Sequence, residues 1–156
     1  MEKIRKCFPF CLPLIFILIA SCSMPKIIIL EDPLSAEEHN DLGVAYEKKG
    51  MLDLAEKEYK RAVKKKKNWD IPYFNLGNVY FKKKDYKKAK EYYKKAIKIN
   101  PKNTDAMNNL AYLYSLEGKY SKALRLIKKA ISIRFKTEYL DTLKEIEEKI
   151  YKSEGY

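Results

Sequence analysis

Few side chains in this sequence have the types and spacing that catalysis or metal binding requires. His39 is the single histidine, and we interpret it as a packing residue. The three cysteines all lie near the N-terminus: Cys7, Cys11 and Cys22. No group of His and Cys residues has zinc-site spacing, and no nucleophile elbow is present. Gly118-Lys119 matches only the end of a phosphate-binding loop and fits a turn between helices. We therefore expect no catalytic residue, no metal site, no cofactor and no enzymatic activity.

Cys22 ends a segment that is typical of secretion signals. Three basic residues open the chain, and residues 8–20 are apolar apart from Pro9 and Pro13. This run is shorter than the ~20 residues of a membrane-spanning helix, but it suits the apolar part of a signal peptide. The tract Leu-Ile-Ala-Ser-Cys at residues 18–22 then resembles the lipobox of bacterial lipoproteins.

The resemblance to lipoproteins implies that residues 1–21 are a signal peptide and that Cys22 becomes an acylated N-terminus. Two or more acyl chains hold a protein firmly on a membrane. Residues 22–35 would then be the lipidated N-terminus and its tether. The implied location is the bacterial cell membrane, and Ser23 would permit delivery to the outer membrane, facing the periplasm, in a Gram-negative cell. A plain signal peptide or a short uncleaved anchor is the alternative.

Residues 36–137 contain the same pattern of seven residue types three times, at a step of 34 residues. The second copy has these residues at Leu76, Gly77, Tyr80, Lys84, Ala89, Tyr93 and Ala96. Leu76 and Tyr80 lie four apart and share one face of a helix. Gly77 lies beside that face and lets a second helix approach closely. Such fixed-period similarity indicates stacked structural repeats.

The pattern resembles the tetratricopeptide repeat, with copies at residues 36–69, 70–103 and 104–137. The resemblance implies an all-α solenoid of three helix-turn-helix repeats. Residues 138–156 would form a capping helix and tail. We expect the apolar stripe of this cap at Leu140, Leu143, Ile146 and Ile150.

Local signals mark the ends of the predicted helices. Gly50 and Gly118 can adopt positive φ and end the first helix of their copies. Ser35 begins a capping box for the first helix of the array. Asp53 and Ser121 suit the N-caps of second helices.

In tetratricopeptide arrays the first helices line a concave groove, so the resemblance implies a protein or peptide segment as ligand. The groove positions carried over from the family are Asn40, Val44, Glu47, Phe74, Asn78, Phe81, Lys82, Asn108, Tyr112 and Leu116. The aromatic residues among them would be apolar anchors, whereas Asn78 and Asn108 would hydrogen-bond to a peptide backbone.

Some relatives hold a C-terminal carboxylate with a basic residue and an asparagine at the fifth and ninth positions of their first repeat. Asn40 and Val44 occupy those positions here. We therefore do not expect that particular clamp.

The sequence has 33 Lys or Arg against 21 Asp or Glu, a net charge of +12. The excess is concentrated in residues 70–103, mainly on the second predicted helix of that copy. The plain interpretation is a solvated helix face. The alternative is an accessory envelope protein whose Lys-rich helix binds an anionic membrane surface or polymer.

Together these features predict a membrane-anchored lipoprotein that acts as a protein-protein interaction scaffold in the bacterial cell envelope. Assembly of an envelope, pilus or secretion complex is the process that such a scaffold would serve. The secretion signal argues against a nucleic-acid ligand. The sequence does not define the oligomeric state or the partner.

Overall fold

The computed structural model describes residues 32–153, and this range contains seven α-helices and no strand. The helices are α1 (Ala36–Lys48), α2 (Leu52–Lys65), α3 (Asp70–Lys82), α4 (Tyr86–Ile99), α5 (Thr104–Leu116), α6 (Tyr120–Ile133) and α7 (Thr137–Ser153). All belong to one compact unit that begins at Pro33. The predicted signal peptide, Cys22 and most of the predicted tether lie outside the described residues.

The helices form three hairpins, α1 with α2, α3 with α4 and α5 with α6, and each hairpin packs on the next. Short connections make the two helices of a hairpin antiparallel. The final helix, α7, packs on both α5 and α6. We call α1, α3, α5 and α7 the inner helices and α2, α4 and α6 the outer helices. This arrangement confirms the prediction of an all-α array of three helix pairs and a cap.

A glycine on the inner helix makes room for a tyrosine of the outer helix in the second hairpin. A Cβ atom added to Gly77 would lie 2.4 Å from Cε1 of Tyr93, whose side chain is fully buried. The first hairpin has the same combination of residues. In the third hairpin both positions differ together, because Ala111 replaces the glycine and Ile127 replaces the tyrosine. The methyl group of Ala111 therefore faces a side chain that is smaller than tyrosine.

Three residues in the left-handed region end the inner helices of the hairpins. Gly50 has a φ of 74° and Gly118 a φ of 69°, which confirms the prediction for both. Lys84 takes the same conformation, with a φ of 61°. A side chain in this region is strained, because its Cβ approaches the carbonyl oxygen.

The prediction of N-caps at Asp53 and Ser121 was wrong, since both residues lie within the first turns of their helices. The capping position comes two residues earlier. In α4 it is Asp85, whose Oδ1 accepts a hydrogen bond from the Lys88 backbone N–H at 3.1 Å. The capping box at Ser35 is confirmed, because the Ser35 side chain accepts from the Glu38 backbone N–H.

The buried face of α7 differs by one residue from the predicted stripe. Tyr139 and Ile146 are buried, and Leu143 and Ile150 pack beside them. Leu140 is exposed, so its assignment to the stripe was wrong. Tyr139 replaces it, and its hydroxyl donates to Asp105 Oδ1 at 2.6 Å.

Equivalent positions form an ion pair at both junctions between hairpins, but the basic and acidic residues are exchanged. Lys83 pairs with Glu56 across the first junction. The residues 34 positions later, Glu117 and Lys90, pair across the second junction with the charges reversed. Burial alone would raise the pKa of Glu56, but hydrogen bonds from Lys60, Lys83 and the Tyr80 hydroxyl lower it to about 2.

His39 is fully buried in α1, which agrees with its predicted packing role. Its Nδ1 lies 2.7 Å from Oε2 of Glu58 on α2. The histidine therefore helps to join the two helices of the first hairpin.

Candidate functional site

The inner helices enclose a cavity of about 280 Å³. Six of the ten predicted groove residues line it: Glu47, Asn78, Phe81, Lys82, Asn108 and Tyr112. They come from α1, α3 and α5, so successive repeats bring together side chains that are far apart in sequence. The cavity therefore forms only when all three hairpins are stacked.

Aromatic side chains form the apolar wall of the cavity. The ring centroids of Phe81 and Tyr112 are 6.0 Å apart, with the ring planes tilted by 58°. Phe81 also contacts Tyr86 of α4, at a centroid distance of 5.6 Å. Lys149 of α7 places its Nζ 5.1 Å from the Tyr112 ring centroid, within the range of a cation–π contact. Contacts from α4 and α7 thus hold the two rings of the wall in place.

A chain of hydrogen-bonded amides forms the polar part of the cavity. Asn78 Oδ1 accepts from the Tyr93 hydroxyl at 2.9 Å and from Asn109 Nδ2 at 3.0 Å. Asn108 Nδ2 donates to Asn109 Oδ1 at 3.2 Å. Burial raises the pKa of the Tyr93 hydroxyl, although the hydrogen bond from Asn109 opposes this change. Tyr93 therefore remains a hydrogen-bond donor at neutral pH.

Asn108 Oδ1 is buried and has no hydrogen-bond partner among the described residues. A buried acceptor without a donor is costly, typically by about 1–3 kcal/mol.

One ion pair lies at the mouth of the cavity. Lys82 Nζ is 2.7 Å from Glu47 Oε1, and the Tyr59 hydroxyl donates to Glu47 Oε2 at 2.7 Å. Burial, reinforced by Glu47, raises the pKa of the Tyr59 hydroxyl. The Lys82 side chain is 51% exposed, so its ammonium group can reorient toward an incoming carboxylate.

The remaining four predicted residues do not line this cavity. Asn40 is buried, and its Oδ1 accepts from Asn75 Nδ2 at 2.9 Å. Val44 packs against the hydrophobic core, and Leu116 is exposed at the end of α5. Phe74 lines a second cavity of about 530 Å³ and contacts the Tyr93 ring.

Three lining residues were not predicted as groove residues: Tyr93, Asn109 and Thr142. Tyr93 is one of the seven repeated residues, and it both packs in the core and lines the cavity. Asn109 lies 34 positions after Asn75, so the repeat register contained a signal for it. Thr142 belongs to α7, which does not follow the repeat pattern and gave no such signal.

Within residues 32–153, no three His, Cys, Asp or Glu residues are placed to hold a metal ion. In the same range, no helix combines the length and the apolar character needed to cross a bilayer.

Comparison with family models gives three matches, and each model describes the tetratricopeptide repeat. They cover residues 39–67, 72–103 and 92–125, which together are more than half of the chain. The match at residues 92–125 begins in α4 and ends in α6, half a repeat out of step with the other two. No protein matches in the comparison with curated proteins.

Among solved structures, the chain is similar to the first TPR of Spaghetti (RPAP3) bound to the HSP90 peptide SRMEEVD. The match has a TM-score of 0.71 and 19% identity, and it covers 77% of this chain and 96% of that one. At this identity the likeness establishes the fold.

Proposed function

This chain belongs to the tetratricopeptide repeat family, and we propose that it is a membrane-anchored interaction scaffold of the bacterial cell envelope. Its inner-helix groove would bind a segment of a partner protein. Acylation of Cys22 would hold the domain at the membrane, in keeping with the lipobox-like tract at residues 18–22. Such a scaffold suits the assembly of an envelope or secretion complex.

The combination of aromatic rings and amides in one cavity carries the proposal of peptide binding. The rings of Phe81 and Tyr112 offer an apolar surface, and the side chains of Asn78 and Asn108 line the same cavity. A peptide residue would match both, with an apolar side chain for the rings and backbone polar groups for the asparagines. The related domain that holds the peptide SRMEEVD supports a segment of this kind as ligand.

The groove chemistry argues against simple transfer of that ligand to this chain. Asn40 occupies the position where some relatives have a basic residue, and its Oδ1 is engaged by Asn75. Lys82, at the cavity mouth, is the cation best placed to meet an acidic ligand group. We therefore propose that the ligand is an internal or terminal segment of a partner protein with an apolar anchor residue. The second and third repeats would bind it.

The groove is tested by partner capture with Phe81→Ala and a matched control, Phe135→Ala. Phe135 is 66% exposed, lies after α6 and does not line the cavity. We expect Phe81→Ala to lose a crosslinked partner that Phe135→Ala retains, with equal helicity by circular dichroism. Equal capture by both variants would contradict groove binding.

The anchor is tested separately by incorporation of labelled palmitate in bacterial cells. Cys11→Ser provides the matched control, because Cys11 lies within the predicted signal peptide. We expect label on the wild-type chain and on Cys11→Ser, and none on Cys22→Ser. Label that persists on Cys22→Ser would rule out acylation at this residue.

A further inference from the structure

Charge is divided between the two layers of helices. The outer helices α2, α4 and α6 carry 15 Lys or Arg and 4 Asp or Glu. The inner helices α1, α3, α5 and α7 carry 5 Lys or Arg and 11 Asp or Glu. Within the helices, the net positive charge therefore lies on the outer layer, opposite the groove.

The outer face contains a trough of about 550 Å³ between α4 and α6. Four basic residues line it, and no acidic residue does: Lys94, Lys122, Arg125 and Lys129. Leu110 and Tyr114 of α5 lie between the two outer helices and contribute an apolar floor. The trough thus combines clustered cations with an apolar surface.

The cations of the trough are not neutralised by any residue in the described part of the chain. None of the four forms an ion pair with another residue in the range 32–153. By contrast, Lys88 and Lys90 on the same α4 helix pair with Asp85 and Glu117. Lys94 instead places its Nζ 5.9 Å from the Tyr114 ring centroid. Four uncompensated cations around one depression attract an anionic ligand.

A second depression continues this basic surface toward α2. Lys67, Lys95 and Lys98 line it together with Tyr73, in a volume of about 640 Å³ and again without an acidic residue. Two basic depressions side by side suit an extended anionic surface better than one small ligand. The Lys-rich helix identified in the sequence is therefore only half of the surface, since α6 supplies the other cations.

We propose that this outer face, centred on the trough between α4 and α6, binds the anionic phospholipid head groups of the membrane surface. The inference rests on the proposed anchor at Cys22. Ten residues, 23–32, separate Cys22 from Pro33, and a fully extended chain of that length spans about 35–40 Å. An anchored domain is therefore always within reach of the head groups, and docking leaves the groove facing away from the membrane.

Lysine footprinting on the full chain tests this docking. The chain is reconstituted in vesicles of phosphatidylcholine, with or without phosphatidylglycerol. Its accessible lysine side chains are then modified briefly with an N-hydroxysuccinimide ester. Modification is then measured by mass spectrometry at Lys94, Lys122 and Lys129. Three exposed lysines on inner helices provide controls in the same molecule: Lys48, Lys144 and Lys152.

We expect the trough lysines to react about fivefold more slowly in the vesicles that contain phosphatidylglycerol, because each basic residue near an anionic surface gains about 1 kcal/mol. The control lysines should react equally in both vesicles. High salt should abolish the difference, since the attraction is screened. The proposal would be overturned if phosphatidylglycerol changed the reaction rates of the trough lysines no more than those of the control lysines. Protection by soluble polyglutamate without protection by the vesicles would also overturn it and would identify an acidic polymer as the ligand.

A pair of charge-matched variants completes the test, with Lys122 as reporter. Lys94→Glu with Arg125→Glu and Lys129→Glu should abolish the protection of Lys122. Lys48→Glu with Lys144→Glu and Lys152→Glu should leave it intact. Protection that survives the first set would refute a role for the trough.

Flotation with pure phosphatidylcholine vesicles reports the anchor on its own. A chain that fails to float with these vesicles contradicts the proposed lipid anchor, whereas the difference between trough and control lysines still decides the docking. The two failures are therefore distinguishable.

Discussion

The fit between Gly77 and Tyr93 makes a strong prediction about stability. Ala at position 77 would place its Cβ 2.4 Å and 2.5 Å from two carbons of the Tyr93 ring, well inside van der Waals contact. The ring is fully buried and its hydroxyl is hydrogen-bonded to Asn78, so it cannot move aside without loss. We therefore expect Gly77→Ala to destabilise the array.

The magnitude follows from two opposing effects. Overpacking of a tight contact costs about 1–3 kcal/mol. Replacing glycine by alanine within a helix gains about 1 kcal/mol. The net loss for Gly77→Ala should therefore be up to about 2 kcal/mol. In the background of Tyr93→Ile the clash is removed, and the same substitution should stabilise the protein by up to about 1 kcal/mol.

A double-mutant cycle in urea, followed by circular dichroism, measures this change of sign. The third hairpin supplies the control, because Ala111 already faces Ile127 there. Ala111→Gly should destabilise by about 1 kcal/mol through helix propensity. An equal destabilisation by Gly77→Ala with and without Tyr93→Ile would refute the argument that the two residues are matched in size.

Three further predictions concern backbone strain and charge. Lys84→Gly should stabilise the protein by about 1 kcal/mol in urea denaturation, because glycine adopts the left-handed conformation without the strain of a side chain. A loss of stability would contradict the presence of that strain. Glu56 has a pKa lowered to about 2, so its contribution is present above its ordinary pKa near 4.5 and is lost as pH falls toward 2. Glu56→Gln should accordingly flatten the decline in stability over this range, and an unchanged pH profile would count against it. Lys90→Glu should destabilise by about 1 kcal/mol and Glu117→Lys should restore the loss, whereas additive losses in the double variant would exclude the ion pair.

The sequence predicted those features that recur from one copy to the next. The period of 34 residues fixed the helix pairs, and glycine at two of the turns identified two of the left-handed positions. The same period did not locate the N-caps, because the counterparts of Asp85 are Met51 and Lys119, and neither side chain caps its helix. It also misplaced Leu140, since α7 lies outside the repeat and packs by its own pattern.

The groove was predicted only in part because its positions are carried over one by one from a family. That procedure places residues on the correct helices, and six of the ten do line the cavity. It does not show which side chains are already hydrogen-bonded within the protein. Asn40, for example, accepts a hydrogen bond from Asn75 and does not line the cavity. The procedure also cannot include Thr142, because the contribution of the cap depends on where α7 docks.

The contrast between the core and the groove explains why one chain can repeat its fold without repeating its surface. Ala89 and its counterparts are fully buried in all three hairpins, since each meets the same kind of neighbour. Glu47 and Phe81 both line the cavity and occupy one position of the repeat, yet they differ in size and polarity. A groove residue has no recurring partner within the protein, so nothing in the fold requires it to be the same in each copy.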